Sequence, residues 1–141
     1  RRLYLESQGV LEAFSRDTGE LLWSRPCVQG PGPGLVAGPD SLVLSGMEEL
    51  LSVDPDNGAD RLSFPSRAGW RAPPALALGM AVAVDGMTVI AFDPMLGGEV
   101  WRLALEGRDI VAPPALVSII GSRVDIRSAD ELVCIGEGGT L

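Results

Sequence analysis

The sequence predicts an all-β fold built from repeated four-stranded antiparallel sheets, and three observations carry that expectation. Phe14-x-x-x-x-Gly19, Val53-x-x-x-x-Gly58 and Phe92-x-x-x-x-Gly97 recur at a constant spacing of 39 residues. The stretches flanking each glycine alternate polar with apolar side chains, the period of a half-buried strand. An apolar content of 46% with 18 Gly suits a strand-rich chain. A repeat of this length with several short strands reads as one blade of a β-propeller, whose apolar faces are buried only by stacking on neighbours. The 141 residues hold about 3.6 such units, with expected bounds of about 1–31, 32–70, 71–110 and an incomplete 111–141. Propellers close with about 4 to 8 blades. An open arc would expose strand edges and apolar faces, so this segment is expected to belong to a ring of about seven to eight blades, completed by further sequence or by a second copy of the chain.

The elements follow in order. Leu3-Tyr4-Leu5 occupies a second-strand position, and Leu11-Glu12-Ala13-Phe14, Leu50-Leu51-Ser52-Val53 and Val89-Ile90-Ala91-Phe92 are equivalent strands, each running into a turn. In two of these turns the residues are Asp54-Pro55 and Asp93-Pro94. Pro suits the second turn position through its fixed φ, and the glycine that follows accepts φ > 0. After the turns come Glu20-Leu21-Leu22-Trp23, Asp60-Arg61-Leu62-Ser63-Phe64 and Glu99-Val100-Trp101-Arg102-Leu103-Ala104-Leu105. Trp23, Leu62 and Trp101 share one slot of the repeat and are expected to supply large apolar bodies between sheets. Ala72-Pro73-Pro74-Ala75-Leu76 is echoed at Ala112-Pro113-Pro114-Ala115-Leu116 and loosely at Gly32-Pro33-Gly34-Leu35-Val36. Short strands then follow at Ser41–Leu44, Met80–Val84 and Arg123–Ile126, and Leu132-Val133-Cys134-Ile135 stands in for Val89–Phe92.

Ala-Phe-Ser-Arg-Asp-Thr-Gly-Glu-Leu-Leu-Trp at 13–23 and Ala-Phe-Asp-Pro-Met-Leu-Gly-Gly-Glu-Val-Trp at 91–101 resemble the repeat of the quinoprotein-like, or PQQ-like, β-propellers of bacteria. Pro74-Ala75-Leu76 and Pro114-Ala115-Leu116 are similar to the strand that precedes that repeat. The second unit departs from the pattern, with Leu62 in the Trp slot, and the fourth has a truncated turn. Such propellers include quinone-dependent dehydrogenases, non-enzymatic scaffolds of outer-membrane protein assembly and sensor modules, so the resemblance speaks to fold before function. It implies a scaffold or protein-binding role without a cofactor, placed in the periplasm or cell envelope. The alternatives it implies are a fragment of a quinone-dependent oxidoreductase and the sensor part of a signalling protein.

Composition prunes the chemistry. With no His, and with all 11 basic residues being Arg, the chain lacks the parts of Ser-His-Asp and Cys-His nucleophile systems, Lys Schiff bases and Walker-type phosphate loops. The quinone enzymes that the repeat resembles use adjacent Cys, whereas Cys27 and Cys134 lie in the first and last units. We therefore expect no enzyme, with no catalytic, cofactor-binding or metal-ligating residue. Asp54-Pro55-Asp56-Asn57-Gly58-Ala59-Asp60 has the alternating oxygens of a calcium loop, but Pro65 stands where the twelfth-position glutamate belongs, and a plain polar turn is the better reading. Cys134 reads as a small buried hydrophobe in an apolar strand. A net charge of −8 argues against nucleic acid and anionic lipid surfaces. No apolar run reaches the length of about 18 residues that inserts into a membrane, and the lack of a visible signal peptide decides nothing.

What remains is a protein or peptide partner. In propellers the loops before each innermost strand rim the central channel, and here they contain Arg67-Ala68-Gly69-Trp70-Arg71 and Glu106-Gly107-Arg108-Asp109-Ile110. Trp70, Arg71, Arg108 and Asp109 are the candidate contacts, since Trp and Arg are enriched at interface hot spots. Trp70 lies outside the recurring Trp slot. Exposed, it would anchor a contact; otherwise it tucks under its own loop as packing, the commoner fate of such a residue.

Overall fold

The computed structural model describes residues 1–27, 34–46, 48–67, 69–70, 73–77, 79–105, 116–120, 123–127 and 132–135. Among them there are fourteen strands and no helix. β1 (Arg2–Ser7), β2 (Val10–Ser15) and β3 (Leu21–Pro26) form the first sheet, in that spatial order. β4 (Gly34–Ala37), β5 (Leu42–Ser45), β6 (Glu49–Val53) and β7 (Asp60–Pro65) form the second, and β8 (Ala75–Ala77), β9 (Met80–Asp85), β10 (Thr88–Phe92) and β11 (Glu99–Ala104) the third. β12 (Leu116–Ile120), β13 (Arg123–Arg127) and β14 (Leu132–Ile135) make the fourth. Each sheet is an antiparallel meander of consecutive strands, so every hydrogen-bonded neighbour is also a neighbour in sequence.

The repeat in the sequence is a repeat of register. Trp23 lies opposite Ala13, Leu62 opposite Ser52 and Trp101 opposite Ala91. One residue further on, the ladder shifts in all three sheets, between Ala13 and Phe14, Ser52 and Val53, and Ala91 and Phe92. A small residue opposite each bulky one leaves room for the large side chain to lie across the sheet, and the bulge turns the strand end into the tight connection that follows.

That connection is closed in the same way each time. The Gly19, Gly58 and Gly97 amides donate to the carbonyls of Ser15, Asp54 and Asp93 at 2.8, 2.9 and 2.9 Å. The side chains of those three residues accept further backbone N–H groups: Thr18 at 3.2 Å, Asp56 at 2.7 Å, and Met95 with Leu96 at 2.8 and 2.9 Å. Short polar side chains at this position thus satisfy amides that the turn would leave unpaired. The glycines have φ between +75° and +81°, a region closed to most L-residues.

Faces of successive sheets bury one another. Leu42, Leu44 and Val53 of the second sheet pack with Leu11 and Cys27 against Tyr4 and Trp23 of the first. Ala81, Ala83 and Phe92 of the third pack with Val43, Leu50 and Trp70, and Phe64 lies 4.2 Å from Phe92 between ring centroids. Val82, Val84, Val89 and Ala91, joined by half-buried Trp101 and Leu103, face Val124 of the fourth. At two of these boundaries the large residue of one sheet sits on the turn glycine of the next. A Cβ placed on Gly58 would lie 2.8 Å from the Trp23 ring, and one on Gly97 would lie 2.9 Å from Leu62. The turn beyond Trp101 lies outside the described residues.

Gly58→Ala is therefore expected to cost about 2–5 kcal/mol, combining left-handed backbone strain with overpacking against the indole. Gly79→Ala has the same backbone sign, φ +73°, with open space around the new methyl, and is expected to cost only about 1–2 kcal/mol. Urea unfolding of the two variants measures the difference, and equal losses would show that the indole is not seated on Gly58.

Candidate partner-binding surface

The loop that leads from the second sheet to the third is fastened by Asp85 at the end of β9. Ser66 Oγ and the Arg67 amide donate to the two Asp85 carboxylate oxygens at 2.7 and 2.9 Å. The Gly69 amide donates in turn to Ser66 Oγ, and Gly86 N–H donates to the Gly69 carbonyl at 3.1 Å. Trp70 bridges Asp85 in antiparallel fashion and so extends the inner edge of the third sheet. Asp85 is buried, and a buried acceptor left without donors would be costly. The periodicity gave no sign of this clamp, since the equivalent positions of the repeat hold Ser7 and Gly46.

Of the four residues named as candidate contacts, Trp70 is 5% exposed and belongs to the core between the second and third sheets. It is packing, so the indole itself presents no surface to a partner. Among the described residues its Nε1 has no hydrogen-bond partner, a cost the site bears for seating so large a ring under the loop. Arg71, Arg108 and Asp109 lie outside the described residues. Cys27 is buried in the cluster between the first two sheets, and Cys134 lies on β14.

The turn face between the first and second sheets carries a set of linked polar contacts. Trp23 Nε1 and the Tyr4 hydroxyl both donate to the Pro55 carbonyl, at 3.1 and 3.4 Å, and burial raises the Tyr4 phenol above its ordinary value. Arg25 donates to the Gly58 carbonyl at 2.7 Å and pairs with Asp60, while Arg2 pairs with Asp56 at 2.7 Å. Asp54 accepts from the Asp56 amide and from Arg61 at 3.0 Å, and Asn57 Oδ1 accepts the Ala59 amide at 2.8 Å. Each oxygen of the calcium-like stretch 54–60 named here is engaged by the protein's own donors. Among the described residues, no three His, Cys, Asp or Glu side chains converge as metal ligands. On the third sheet Glu99 and Arg102 form a bidentate pair at 2.7 Å, and Arg102 holds the Glu99 carboxyl below its ordinary value. At the same end of the second and third sheets, Leu76, Pro94 and Met95 line an apolar crevice beside the Gly38–Ser41 turn.

The arrangement defines a class: an all-β propeller whose sheets interlock through a large side chain on a turn glycine, with carboxylates spent on turns and ion pairs. The model of the family described as outer membrane protein assembly factor BamB matches residues 7–141, and the chain belongs to that family. A serine/threonine-protein kinase, AfsK of Streptomyces griseus, is 30% identical over 140 residues, covering 90% of this chain and 17% of the kinase. Among solved structures, BamB from Moraxella catarrhalis superposes with a TM-score of 0.66 at 17% identity, over 94% of this chain and 43% of that one. A europium-containing methanol dehydrogenase superposes at 0.56 with 12% identity, over 73% and 22%. The chain thus spans less than half the length of each of these proteins.

Two outcomes test this surface. Asp54 is held below its ordinary value first by the Asp56 amide and then by Arg61. In Arg61→Gln its carboxyl is expected to titrate nearer to, yet still below, the usual Asp value of about 3.9, by NMR. A depressed folded value contributes stability above the unfolded pKa, and that contribution is lost as pH falls through the folded one. Trp70→Phe removes the unpaired N–H while keeping an aromatic body, and is expected to change stability by less than about 1.5 kcal/mol. Trp70→Ala is expected to lose about 3–5 kcal/mol; similar losses in both variants would place the N–H, rather than the ring, at the heart of the site.

Proposed function

We propose that this propeller segment is a non-enzymatic protein-binding module that offers a rigid scaffold from which loops contact a protein or peptide partner. One observation carries the reading: the polar side chains that recur with the repeat are consumed by folding. Ser15, Asp54 and Asp93 cap their own turns, and Asp56 and Asp60 pair with Arg2 and Arg25. The sheets therefore act as a frame, and specificity falls to the connections between them. Membership of a family described by an outer-membrane assembly factor supports a scaffold role. The net charge of −8 supports a partner other than nucleic acid.

The loops before the inner strands are the proposed contact. In this reading the Asp85 clamp and buried Trp70 hold the 66–70 segment in place, and Arg71, Arg108 and Asp109 supply the chemistry that meets the partner. A second reading rests on the 30% identity to a serine/threonine kinase. The same module would then serve as the propeller portion of a signalling protein, binding the ligand or partner that the signal reports. Both readings use the same surface.

Photo-crosslinking of the full-length protein in its native cells separates this from an outer-strand contact. A crosslinking amino acid at position 71 or 108 is expected to capture a partner protein, and one at Val100, 59% exposed on β11, is expected to capture none. Capture from Val100 alone, or from none of the three, would reject the loop surface.

A further inference from the structure

The turn of the third sheet breaks the repeat in one respect. Its tip is Met95-Leu96, where the turns of the first and second sheets carry Asp17-Thr18 and Asp56-Asn57. Met95 is 50% exposed and Leu96 85%. Turn tips ordinarily carry small polar residues that hydrogen-bond to nearby backbone, and an apolar tip gives that up. A single exposed leucine is ordinary on a protein surface. Here, however, the pair adjoins the crevice formed by Leu76, Pro94 and Met95 beside the Gly38–Ser41 turn.

The crevice marks a boundary that lacks the bridging contacts of its neighbour. At the first boundary Arg2 pairs with Asp56 at 2.7 Å, and the Tyr4 hydroxyl donates to the Pro55 carbonyl. One repeat later those four positions hold Ser41, Met95, Val43 and Pro94. Neither the ion pair nor the hydroxyl bond can form there, and a serine is too short to cross the space that an arginine spans. The result is an opening of about 170 Å³. An apolar cavity of about 150 Å³ holds a benzene ring, so the opening has room for one branched aliphatic or phenyl side chain. Charge narrows the occupant further. Among the described residues that line the crevice, Asp40 alone is charged. It is exposed, and among the described residues no cation pairs with its carboxylate. Arg61 reaches only the Asp40 carbonyl, at 2.6 Å, and pairs with Asp54 instead.

We propose that this crevice is a separate peptide site, which seats one aliphatic or phenyl side chain of a partner protein's extended segment and pairs a neighbouring Lys or Arg with Asp40. An acidic segment would meet Asp40 at like charge, and the net charge of −8 favours a basic one at longer range. The site is distinct from the loop surface. Ala77 pairs with Met80 and Phe92 with Ala81, which places the crevice turns at the start of β9, whereas the Asp85 clamp closes the opposite end of that strand.

The test is selection of short peptides from a random display library on the full-length protein, followed by calorimetry of the selected peptides with full-length variants. The selected set is expected to include peptides that join an aliphatic or phenyl residue to Lys or Arg. Their binding is expected to weaken at least ~5-fold in Met95→Ser, which removes an apolar wall, and at least ~5-fold in Asp40→Lys, which reverses the charge. Should Met95→Ser fail to fold, Asp40→Lys, at an exposed position, reads the site by itself. An empty selection, a set without the apolar and basic pair, or binding that survives the variants would overturn the proposal and leave the loop surface untouched. Thiol labelling of Met95→Cys, with exposed Val100→Cys as reference, tests whether the crevice is free before peptide is added. Equal rates are expected. Slow labelling of Met95→Cys at every dilution would overturn the proposal in favour of another segment of the same chain, and slow labelling only at high concentration in favour of a second copy.

Discussion

A bulky side chain from the outer strand of one sheet, laid against the turn glycine of the next, is the contact on which this arc depends. Trp23 over Gly58 and Leu62 over Gly97 fix three things at once: the distance between sheets, their register along the strands and the shape of the turn. Only glycine fits, because the ring or branched methyls come within 3 Å of where a Cβ would stand. The small Ala13 and Ser52 opposite the bulky residues, and the bulges beside them, follow from the same need for space. At the first boundary the indole N–H also donates to the Pro55 carbonyl, so the seat is polar at its rim and apolar at its centre. At the second, Leu62 has no donor, and Ser52 Oγ supplies the bond to Pro94 instead. One geometry is thus served by two chemistries.

Much of the fold was legible because a repeat states each structural requirement several times. The 39-residue phase located the turns, the strands on either side of them and the equivalence of Trp23 and Leu62, since the steric demands at those places leave few acceptable residues. Leu62 shows the limit of that constraint: any large apolar body fills the seat, so a departure from Trp did not mean a departure from the fold. The candidate surface was far less legible. Asp85 acts across a loop by accepting from the Ser66 hydroxyl and the Arg67 amide, and nothing in Val84-Asp85-Gly86 distinguishes a clamp from a turn. Trp70 was singled out by falling outside the repeat's slot, but position in a repeat carries no information on which way a loop side chain points. The structure turns it inward, between the second and third sheets.

The relation between frame and function follows from where the polar groups go. Carboxylates that might suit chemistry in another setting are turned onto backbone N–H groups or onto arginines of the adjoining sheet. Exposed ion pairs of this kind contribute little individually, yet their placement at sheet boundaries reinforces the register already set by packing. Family membership and the two structural likenesses establish the architecture. The proposed binding role rests on the loops that this architecture holds, as such modules place a variable surface on a repeated frame.

A double-mutant cycle between Trp23 and Gly58 tests the central contact most directly. The account predicts that in a Trp23→Ala background the loss from Gly58→Ala falls toward backbone strain alone, giving a coupling of about 1–3 kcal/mol. Losses that add within about 0.5 kcal/mol would contradict it, because the indole and the glycine would then not be sharing one seat.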